Sequence, residues 1–125
     1  MSARFNHTII FAVDVAESAA FYRDYLEAED AQSWGPFTNL MIGDGVLLQI
    51  ASPPGLVPQP QHYAFLVEDD HFDRALSLLD DRRADYTADP HGKRPGAINH
   101  DHGGRGVYIR DPAGHGIELL TSPYL

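Results

Sequence analysis

The chain carries the same pattern twice, and a histidine opens each copy. His7 begins one apolar run and His62 begins another, and each run leads into a stretch with helical periodicity. The first copy closes on the apolar segment 46–50 and the second on 116–120. Internal self-similarity of this kind predicts two structural modules that are built alike.

The boundaries of the modules follow from composition. Residues 52–61 contain four prolines and a glycine, so this segment can be neither strand nor helix and is predicted to be a linker. We therefore expect a single domain over 1–125. Its first module spans about 4–51 and its second about 62–122.

Local signals in the first module predict a strand, a helix and a hairpin. Asp14 followed by Glu17 is a capping-box pattern, which places the start of a helix at this point. The glycine-rich segment 43–45 predicts a tight turn between two strands. The expected elements are strand 4–13, helix 16–29, and hairpin strands 39–42 and 46–51.

The second module repeats this scheme with an insertion. Phe72, Ala75 and Leu79 lie on one face of a predicted helix over 69–83. Residues 89–104 form a long polar segment, and loops of this length in compact domains usually serve a functional site. The module is expected to close as a hairpin with strands 107–110 and 116–121.

When the two modules are aligned by their ends, candidate metal ligands match. His7 pairs with His62, and Gln49 pairs with Glu118. Glu118 lies between apolar neighbours, and a carboxylate buried without a partner would cost several kcal/mol. Two histidines and a carboxylate are natural ligands of a divalent metal that keeps open positions for substrate.

Composition narrows the range of partners. The formal net charge of −9 argues against nucleic acid and against an anionic membrane surface. The chain has no cysteine, so neither a disulfide nor a thiolate nucleophile is possible. No apolar run approaches membrane length and the first residues have no apolar leader, so we expect a cytoplasmic protein.

The chain resembles the vicinal oxygen chelate superfamily, which includes glyoxalase I, bleomycin-resistance proteins, fosfomycin-resistance enzymes and extradiol dioxygenases. The resemblance covers almost the whole chain and rests on the His7 strand and on segments 21–26, 62–65 and 106–119. It implies an α+β fold in which two tandem βαβββ modules form a half-barrel cleft around one metal. The implied ligands are His7, His62 and Glu118.

Two branches of the superfamily match less well. Glyoxalase I places a fourth ligand, usually glutamate, on the last strand of the first module, where this chain has Gln49. Fosfomycin-type enzymes share the ligand triad and a tyrosine at the position of Tyr108. Two of their phosphonate-binding positions carry Ile98 and His102 here.

The extradiol dioxygenase branch fits the C-terminal half better. Its signature of histidine, tyrosine, Asp-Pro-x-Gly and glutamate is reproduced by His100, Tyr108, residues 111–114 and Glu118. In that branch the histidine and the tyrosine contact the substrate hydroxyls, which makes His100 and Tyr108 the expected catalytic residues. One departure is that strand 46–50 lacks the additional histidine common in those enzymes.

Three further residues are expected to bind substrate, each with an alternative. Gln49 either contacts the metal or the substrate, or forms hydrogen bonds inside the barrel. His102 and Arg105 either bind an anionic group of the substrate or order their own loop. His115, in the Asp-Pro-Ala-Gly turn, is predicted to be structural.

These expectations define a divalent-metal-dependent enzyme for a small molecule with vicinal oxygens. The metal, Fe, Mn, Ni or Zn, would act as Lewis acid and template, and Fe(II) would favour extradiol ring cleavage. The alternatives are a glyoxalase-like lyase or isomerase, a fosfomycin-type transferase, and a non-catalytic antibiotic-binding protein. Short relatives commonly pair modules between subunits, which implies a homodimer whose metal sites are shared between chains.

Overall fold

The computed structural model describes all residues of the chain and divides into two compact units. Unit one is Met1–Pro58 and unit two is Gln59–Leu125. The boundary lies inside the proline-rich segment 52–61. Each unit contains one α-helix and one mixed sheet, so the architecture is α+β.

Unit one has the predicted βαβββ order. Its sheet runs β1-β4-β3-β2, in which β1 is parallel to β4 and the other pairs are antiparallel. The elements are β1 (His7–Phe11), α1 (Val15–Leu26), β2 (Glu29–Asp30), β3 (Thr38–Ile42) and β4 (Val46–Ala51).

Helix α1 begins where the capping pattern predicts. The Asp14 side chain accepts a hydrogen bond from the backbone N–H of Glu17 at 3.0 Å. The helix ends before Glu27, which has a left-handed backbone with φ of 54°. Its buried face includes Ala19 and Tyr22 and contacts β3 and β4. The helix is three residues shorter than the predicted span 16–29 at its C-terminal end.

Unit two contains a smaller sheet in the order β5-β7-β6. Strands β5 and β7 are parallel, and β6 and β7 are antiparallel. A short 3₁₀ turn precedes β6. The elements are β5 (His62–Leu66), α2 (Asp69–Asp81), the 3₁₀ turn (Asp101–Gly103), β6 (Gly106–Arg110) and β7 (Gly116–Leu120).

Unit two therefore departs from the predicted βαβββ order, because a strand is missing between α2 and β6. Thr87 makes isolated bridges to Pro95 and Tyr108 in place of that strand. Pro95 has no N–H to extend a ladder, and Gly92 and Gly96 have positive φ values that turn the chain away.

Helix α2 buries one apolar face, as its spacing predicts. Phe72, Ala75 and Leu79 are its buried residues. The helix ends at Asp81 and not at the predicted residue 83, because Arg83 has a left-handed backbone with φ of 53°. With 13 residues α2 is the longer of the two helices, and neither helix is long and apolar enough to cross a membrane.

Candidate metal centre

The two units use the same strand register around their histidines. In unit one, the residue two positions after His7 is paired with Gln49 across β1 and β4. In unit two, the residue two positions after His62 is paired with Glu118 across β5 and β7. The alignment of the two modules is therefore reproduced in the register of both parallel strand pairs.

The imidazole of His62 meets the carboxylate of Glu118. Nε2 of His62 lies 3.0 Å from Oε1 of Glu118. Metal–nitrogen and metal–oxygen bonds of roughly 2.0–2.2 Å at a right angle would separate two neighbouring ligand atoms by about 2.9 Å. The observed separation is that of a hydrogen bond, and it is also compatible with two adjacent ligands on one metal ion.

Burial of Glu118 creates a need for positive charge. Its side chain is 4% exposed, whereas that of His62 is 54% exposed. Oε2 of Glu118 accepts a hydrogen bond from the Tyr124 hydroxyl at 2.7 Å. A buried carboxylate surrounded by an imidazole and phenols lacks a fixed cation, which a divalent metal would supply.

Two tyrosines face this carboxylate as hydrogen-bond donors. Tyr108 is the cross-strand partner of Glu118 on β6. Burial raises the pKa of Tyr108, a hydrogen bond with Tyr124 lowers it, and the negative charge of Glu118 raises it again. The hydrogen bond to Glu118 is the main cause that raises the pKa of Tyr124. Both hydroxyls consequently keep their protons at neutral pH.

An open pocket of about 220 Å³, its mouth included, lies beside Glu118 within unit two. It brings together four residues that the sequence singles out, namely His102, Arg105, Tyr108 and Glu118. Other residues of its lining are Asn99, Asp101 and Tyr124.

His100 is exposed and is not part of this lining. It is the residue that precedes the 3₁₀ turn. His102 is also exposed but lines the pocket; its backbone is left-handed (φ of 57°), and its ring is stacked on Tyr124 at 4.3 Å between centroids. Of the two histidines, the structure brings only His102 to the pocket.

Arg105 reaches from the pocket to helix α2. Its Nη1 donates to Oδ1 of Asp73 at 2.7 Å, and its Nη2 donates to the backbone oxygen and Oδ1 of Asp69 at 3.0 and 3.1 Å. The guanidinium lies 4.6 Å from the centre of the Phe72 ring. Arg105 was expected either to bind an anionic group of the substrate or to order its loop, and these contacts match the second role.

Hydrogen bonds from side chains to the backbone hold the loop before the 3₁₀ turn. The carboxylate of Asp89 accepts hydrogen bonds from the backbone N–H groups of His91, Lys93 and Arg94. These bonds, of which that from Lys93 has the largest effect, lower the pKa of Asp89 to about 2. Further along, the buried Asn99 donates from Nδ2 to the backbone oxygen of Ala88 at 2.9 Å.

His7, the candidate ligand of unit one, contacts the side chain of the neighbouring Asn6. Its Nδ1 lies 2.7 Å from Oδ1 of Asn6. An amide oxygen at this distance favours a proton on Nδ1 and a lone pair on Nε2, the tautomer that ligates through Nε2. Within one chain, no group of three or more His, Cys, Asp or Glu side chains is assembled for a metal. Of the three candidate ligands, His62 and Glu118 are the two that lie in contact.

Unit one has amides where unit two has acidic and phenolic groups. Gln49 is 6% exposed, and its cross-strand partner on β3 is Asn39, whose Oδ1 is buried without a hydrogen-bond partner. The corresponding pair in unit two is Glu118 and Tyr108. Gln49 and Asn39 cannot ionise, whereas Glu118 and Tyr108 are both titratable side chains.

His115 has the structural role that its turn predicts. It is 1% exposed, and its Nδ1 accepts a hydrogen bond from the backbone N–H of Gln61 at 3.0 Å. Its own backbone N–H donates to Oδ1 of Asp111 at 2.8 Å. These bonds tie the turn to the start of β5, and His115 is absent from the pocket lining.

Sequence reasoning missed Tyr124. This tyrosine follows the last predicted strand, and no spacing or motif indicates that the chain folds back to Glu118. Asn99 was also missed as a pocket residue, although it directly precedes His100, the first residue of the C-terminal signature. This neighbourhood was the signal available for it.

The fold and the paired imidazole and carboxylate define a small α+β protein built from a duplicated module. The chain belongs to the Glyoxalase/Bleomycin resistance protein/Dioxygenase superfamily, whose family model matches residues 4–119. This membership confirms the resemblance identified from the sequence. Members of the superfamily typically use a divalent metal and act on small molecules, and they commonly form dimers.

Solved structures add more specific likenesses. The chain is similar to "Oxidase ChaP-H2", with 45% identity, a TM-score of 0.92, and coverage of 99% of this chain and 97% of that one. "Oxidase ChaP-H1" is 43% identical, with a TM-score of 0.91 and 98% coverage of both chains. Lactoylglutathione lyase from Agrobacterium tumefaciens has a TM-score of 0.70 at 20% identity, covers 96% and 94% of the chains, and shows the fold alone. A comparison with curated protein sequences finds no match.

Proposed function

We propose that this protein is a divalent-metal-dependent oxygenase that cleaves a ring bearing vicinal hydroxyl groups. The observation that carries the proposal is the buried carboxylate of Glu118, 3.0 Å from the His62 imidazole and beside the Tyr108 hydroxyl. The likeness to two proteins named oxidases, at 45% and 43% identity, supports oxygen chemistry over the other reactions of the superfamily.

The proposed metal ligands are His62 and Glu118 of one chain with His7 of a second chain. These three ligands would leave positions open for substrate, as in other sites with two histidines and one carboxylate. When bound, the metal supplies a Lewis-acid centre for the vicinal oxygens, and iron among Fe, Mn, Ni and Zn also suits dioxygen.

The residues of the pocket would orient the substrate and manage its protons. Tyr108 can donate a hydrogen bond to a substrate oxygen held near Glu118. His102 lines the same pocket and offers a second polar contact. His100 stays in the proposed catalytic set as the residue next to the pocket, with Gln49 and Arg105 as further candidates for substrate contact.

The proposed reaction is balanced with dioxygen as the only co-substrate. A carbon–carbon bond next to the diol breaks, and both atoms of one dioxygen molecule enter the ring-opened product. The ring supplies the electrons that reduce dioxygen, so no external reductant is consumed.

A homodimer would complete the site. Alternate residues along the β1 segment are exposed and apolar: Phe5 and Val13 are 68% and 70% exposed, and Ile9 and Phe11 are also exposed. His7 lies in the same alternating series. An exposed apolar strand face at a sheet edge is typical of a surface that a partner covers. We propose that unit two of a second copy covers it and that His7 completes the partner's metal site.

The test is oxygen consumption by protein loaded anaerobically with Fe(II) and given a panel of catechols and larger aromatic diols. The proposal predicts consumption of one dioxygen per substrate and entry of two ¹⁸O atoms from ¹⁸O₂ into the product. Tyr108→Phe should lower kcat by about 100-fold while metal content stays intact. Oxygen-independent turnover of a glutathione hemithioacetal or of fosfomycin, or stoichiometric binding of bleomycin without turnover, would contradict the oxygenase proposal.

A further inference from the structure

The residues that follow β7 fold back over the candidate metal centre. This C-terminal tail, residues 121–125, begins with two hydrogen bonds to Arg105. The backbone N–H of Thr121 donates to the backbone oxygen of Arg105, and the backbone N–H of Arg105 donates to the side-chain Oγ1 of Thr121, both at 2.9 Å. Ser122 then donates from Oγ to the backbone oxygen of His102 at 2.7 Å. The tail is thereby fixed to the residues around the 3₁₀ turn.

A glycine makes this close approach possible. A Cβ atom at Gly104 would lie 2.7 Å from Cβ of Ser122 and 2.7 Å from Oγ1 of Thr121. Both distances are below any ordinary carbon contact, so a side chain at position 104 would push the tail away. The sequence around the 3₁₀ turn is therefore adapted to hold the tail in place.

The tail brings one phenol to the carboxylate. The Tyr124 hydroxyl donates to Oε2 of Glu118 at 2.7 Å. Its ring is stacked on His102 with an interplanar angle of 24°. The stack fixes the ring, and the fixed ring determines where the hydroxyl lies.

We propose that Tyr124 is a positioning residue that orients Glu118 as a ligand with one coordinating oxygen. This inference rests on the proposed function, because it requires a metal at Glu118. The hydroxyl of Tyr124 holds Oε2, so Oε1, the oxygen 3.0 Å from Nε2 of His62, is the one that would bind the metal.

The physical reason is the soft terminal torsion of glutamate. Rotation about the last bond of a glutamate side chain has a broad energy profile, so an unrestrained carboxylate can turn either oxygen, or both, toward a cation. A charge-assisted hydrogen bond to one oxygen fixes the plane of the carboxylate. Partners of this kind, one shell beyond the metal, typically contribute about 10- to 100-fold to metal affinity.

The test is calorimetric titration of the full-length chain with Co²⁺ alone, together with the visible spectrum of the cobalt form. Tyr124→Phe keeps the aromatic ring and removes only the hydroxyl. We expect Kd for Co²⁺ to rise by about 10- to 100-fold. We also expect the cobalt absorption bands to shift, because a reoriented carboxylate changes the coordination.

Tyr86→Phe is the matched control, since its hydroxyl donates to Asp80 at 2.8 Å and Tyr86 is absent from the pocket lining. It should leave both the affinity and the spectrum unchanged. Gly104→Ala should weaken Co²⁺ binding in the same direction as Tyr124→Phe, because it displaces the tail without touching either tyrosine.

Glu118→Gln distinguishes a failure of the metal centre from a failure of the positioning role of Tyr124. If Glu118→Gln loses Co²⁺ while Tyr124→Phe keeps the affinity and the spectrum of the unchanged protein, the positioning role is overturned and the metal centre stands. If Glu118→Gln binds Co²⁺ as the unchanged protein does, the metal centre itself is wrong. An equal loss in Tyr86→Phe and Tyr124→Phe would also overturn the positioning role.

Discussion

Nε2 of His62 stands 3.0 Å from Oε1 of Glu118, although the two residues are 56 positions apart in the chain. The parallel register of β5 and β7 produces this contact. His62 is paired with Gly116, and Glu118 lies two residues further along β7, on the same face of the strand. A Cβ on Gly116 would lie 3.4 Å from Nδ1 of His62, which is an ordinary van der Waals contact, so the ring packs directly over this position.

Removal of this imidazole should abolish tight metal binding. In His62→Ala the buried Glu118 keeps its phenol partners and loses the adjacent ligand atom, so we expect Kd for Co²⁺ to rise by at least about 100-fold. Calorimetric titration measures the change. His91→Ala, which removes an exposed histidine of the same unit, is the control and should bind as the unchanged protein does. An unchanged affinity in His62→Ala would remove this residue from the ligand set.

A shared site predicts complementation between two inactive chains. His7→Ala and Glu118→Ala homodimers should each be free of metal, because each lacks one ligand in both of its sites. In a dimer that contains one chain of each kind, one of the two sites has all of its ligands. Metal analysis of a purified, differently tagged mixed dimer should therefore find one metal per dimer. A metal-free mixed dimer would mean that each site is built within a single chain.

Arg105 should contribute to stability through its contacts with α2. Its side chain is 24% exposed, whereas those of Asp69 and Asp73 are 79% and 65% exposed, so solvent screens the ion pairs. Arg105→Ala removes these screened ion pairs and also the contact over Phe72. We expect it to lower the free energy of unfolding by about 1–2 kcal/mol. Urea denaturation gives the value.

Arg74→Ala provides the comparison, because its 3.5 Å pair with Asp70 joins two exposed side chains. The change in unfolding free energy there should stay within about 0.5 kcal/mol. An equal change in unfolding free energy for the two substitutions would show that the contacts of Arg105 stabilise the protein no more than an exposed ion pair does. A loss of substrate affinity in Arg105→Lys at unchanged stability would instead favour binding of an anionic substrate group.

Asp89 should keep the loop around residues 91–94 ordered down to strongly acidic pH. Its folded-state pKa of about 2 lies below the ordinary value of 3.8, because the charged form accepts backbone hydrogen bonds. The resulting stabilisation is complete above pH 3.8 and is lost as pH falls through about 2. The ¹³C chemical shift of the carboxyl group should titrate with a midpoint near about 2.

The substitution that tests the same loop is Asp89→Ala, with Asp85→Ala as the control at an exposed position. Asp89→Ala should speed amide hydrogen exchange at His91, Lys93 and Arg94, whose N–H groups lose their acceptor. A carboxyl midpoint near 3.8, or unchanged exchange rates, would show that the loop does not depend on this side chain.

The repeat made much of the fold predictable from the sequence. The strands that contain His7 and His62, the Asp14 cap and the hairpin around residues 43–45 all follow from local chemistry, and the structure contains each of them, although β1 is shorter than the predicted span 4–13. The sequence also placed His62 and Glu118 at matching ends of the second module, which made both of them candidate ligands of one site. The structure brings the two side chains into contact.

Other features depend on contacts that local patterns do not encode. The strand missing between α2 and β6 reflects the positive φ values of Gly92 and Gly96, which turn the chain on both sides of the bridge between Pro95 and Thr87. The fold-back of Tyr124 depends on the space that Gly104 leaves, which is visible only when the tail is in place. His100 and His102 are both candidates from the sequence, and only the folded chain shows that His102 lines the pocket, with its ring stacked on Tyr124.

The central claim is that Glu118 holds a divalent metal together with His62 and His7. The most direct measurement is the metal content, by elemental analysis, of the chain purified without added metal, alongside Glu118→Gln. That substitution keeps the shape of the side chain, removes its charge, and reproduces the residue found at the equivalent position in unit one. The account predicts about one divalent metal per chain in the unchanged protein and almost none in Glu118→Gln. Equal metal content in the two proteins, or none in either after incubation with Fe²⁺, Mn²⁺, Ni²⁺ and Zn²⁺, would contradict it.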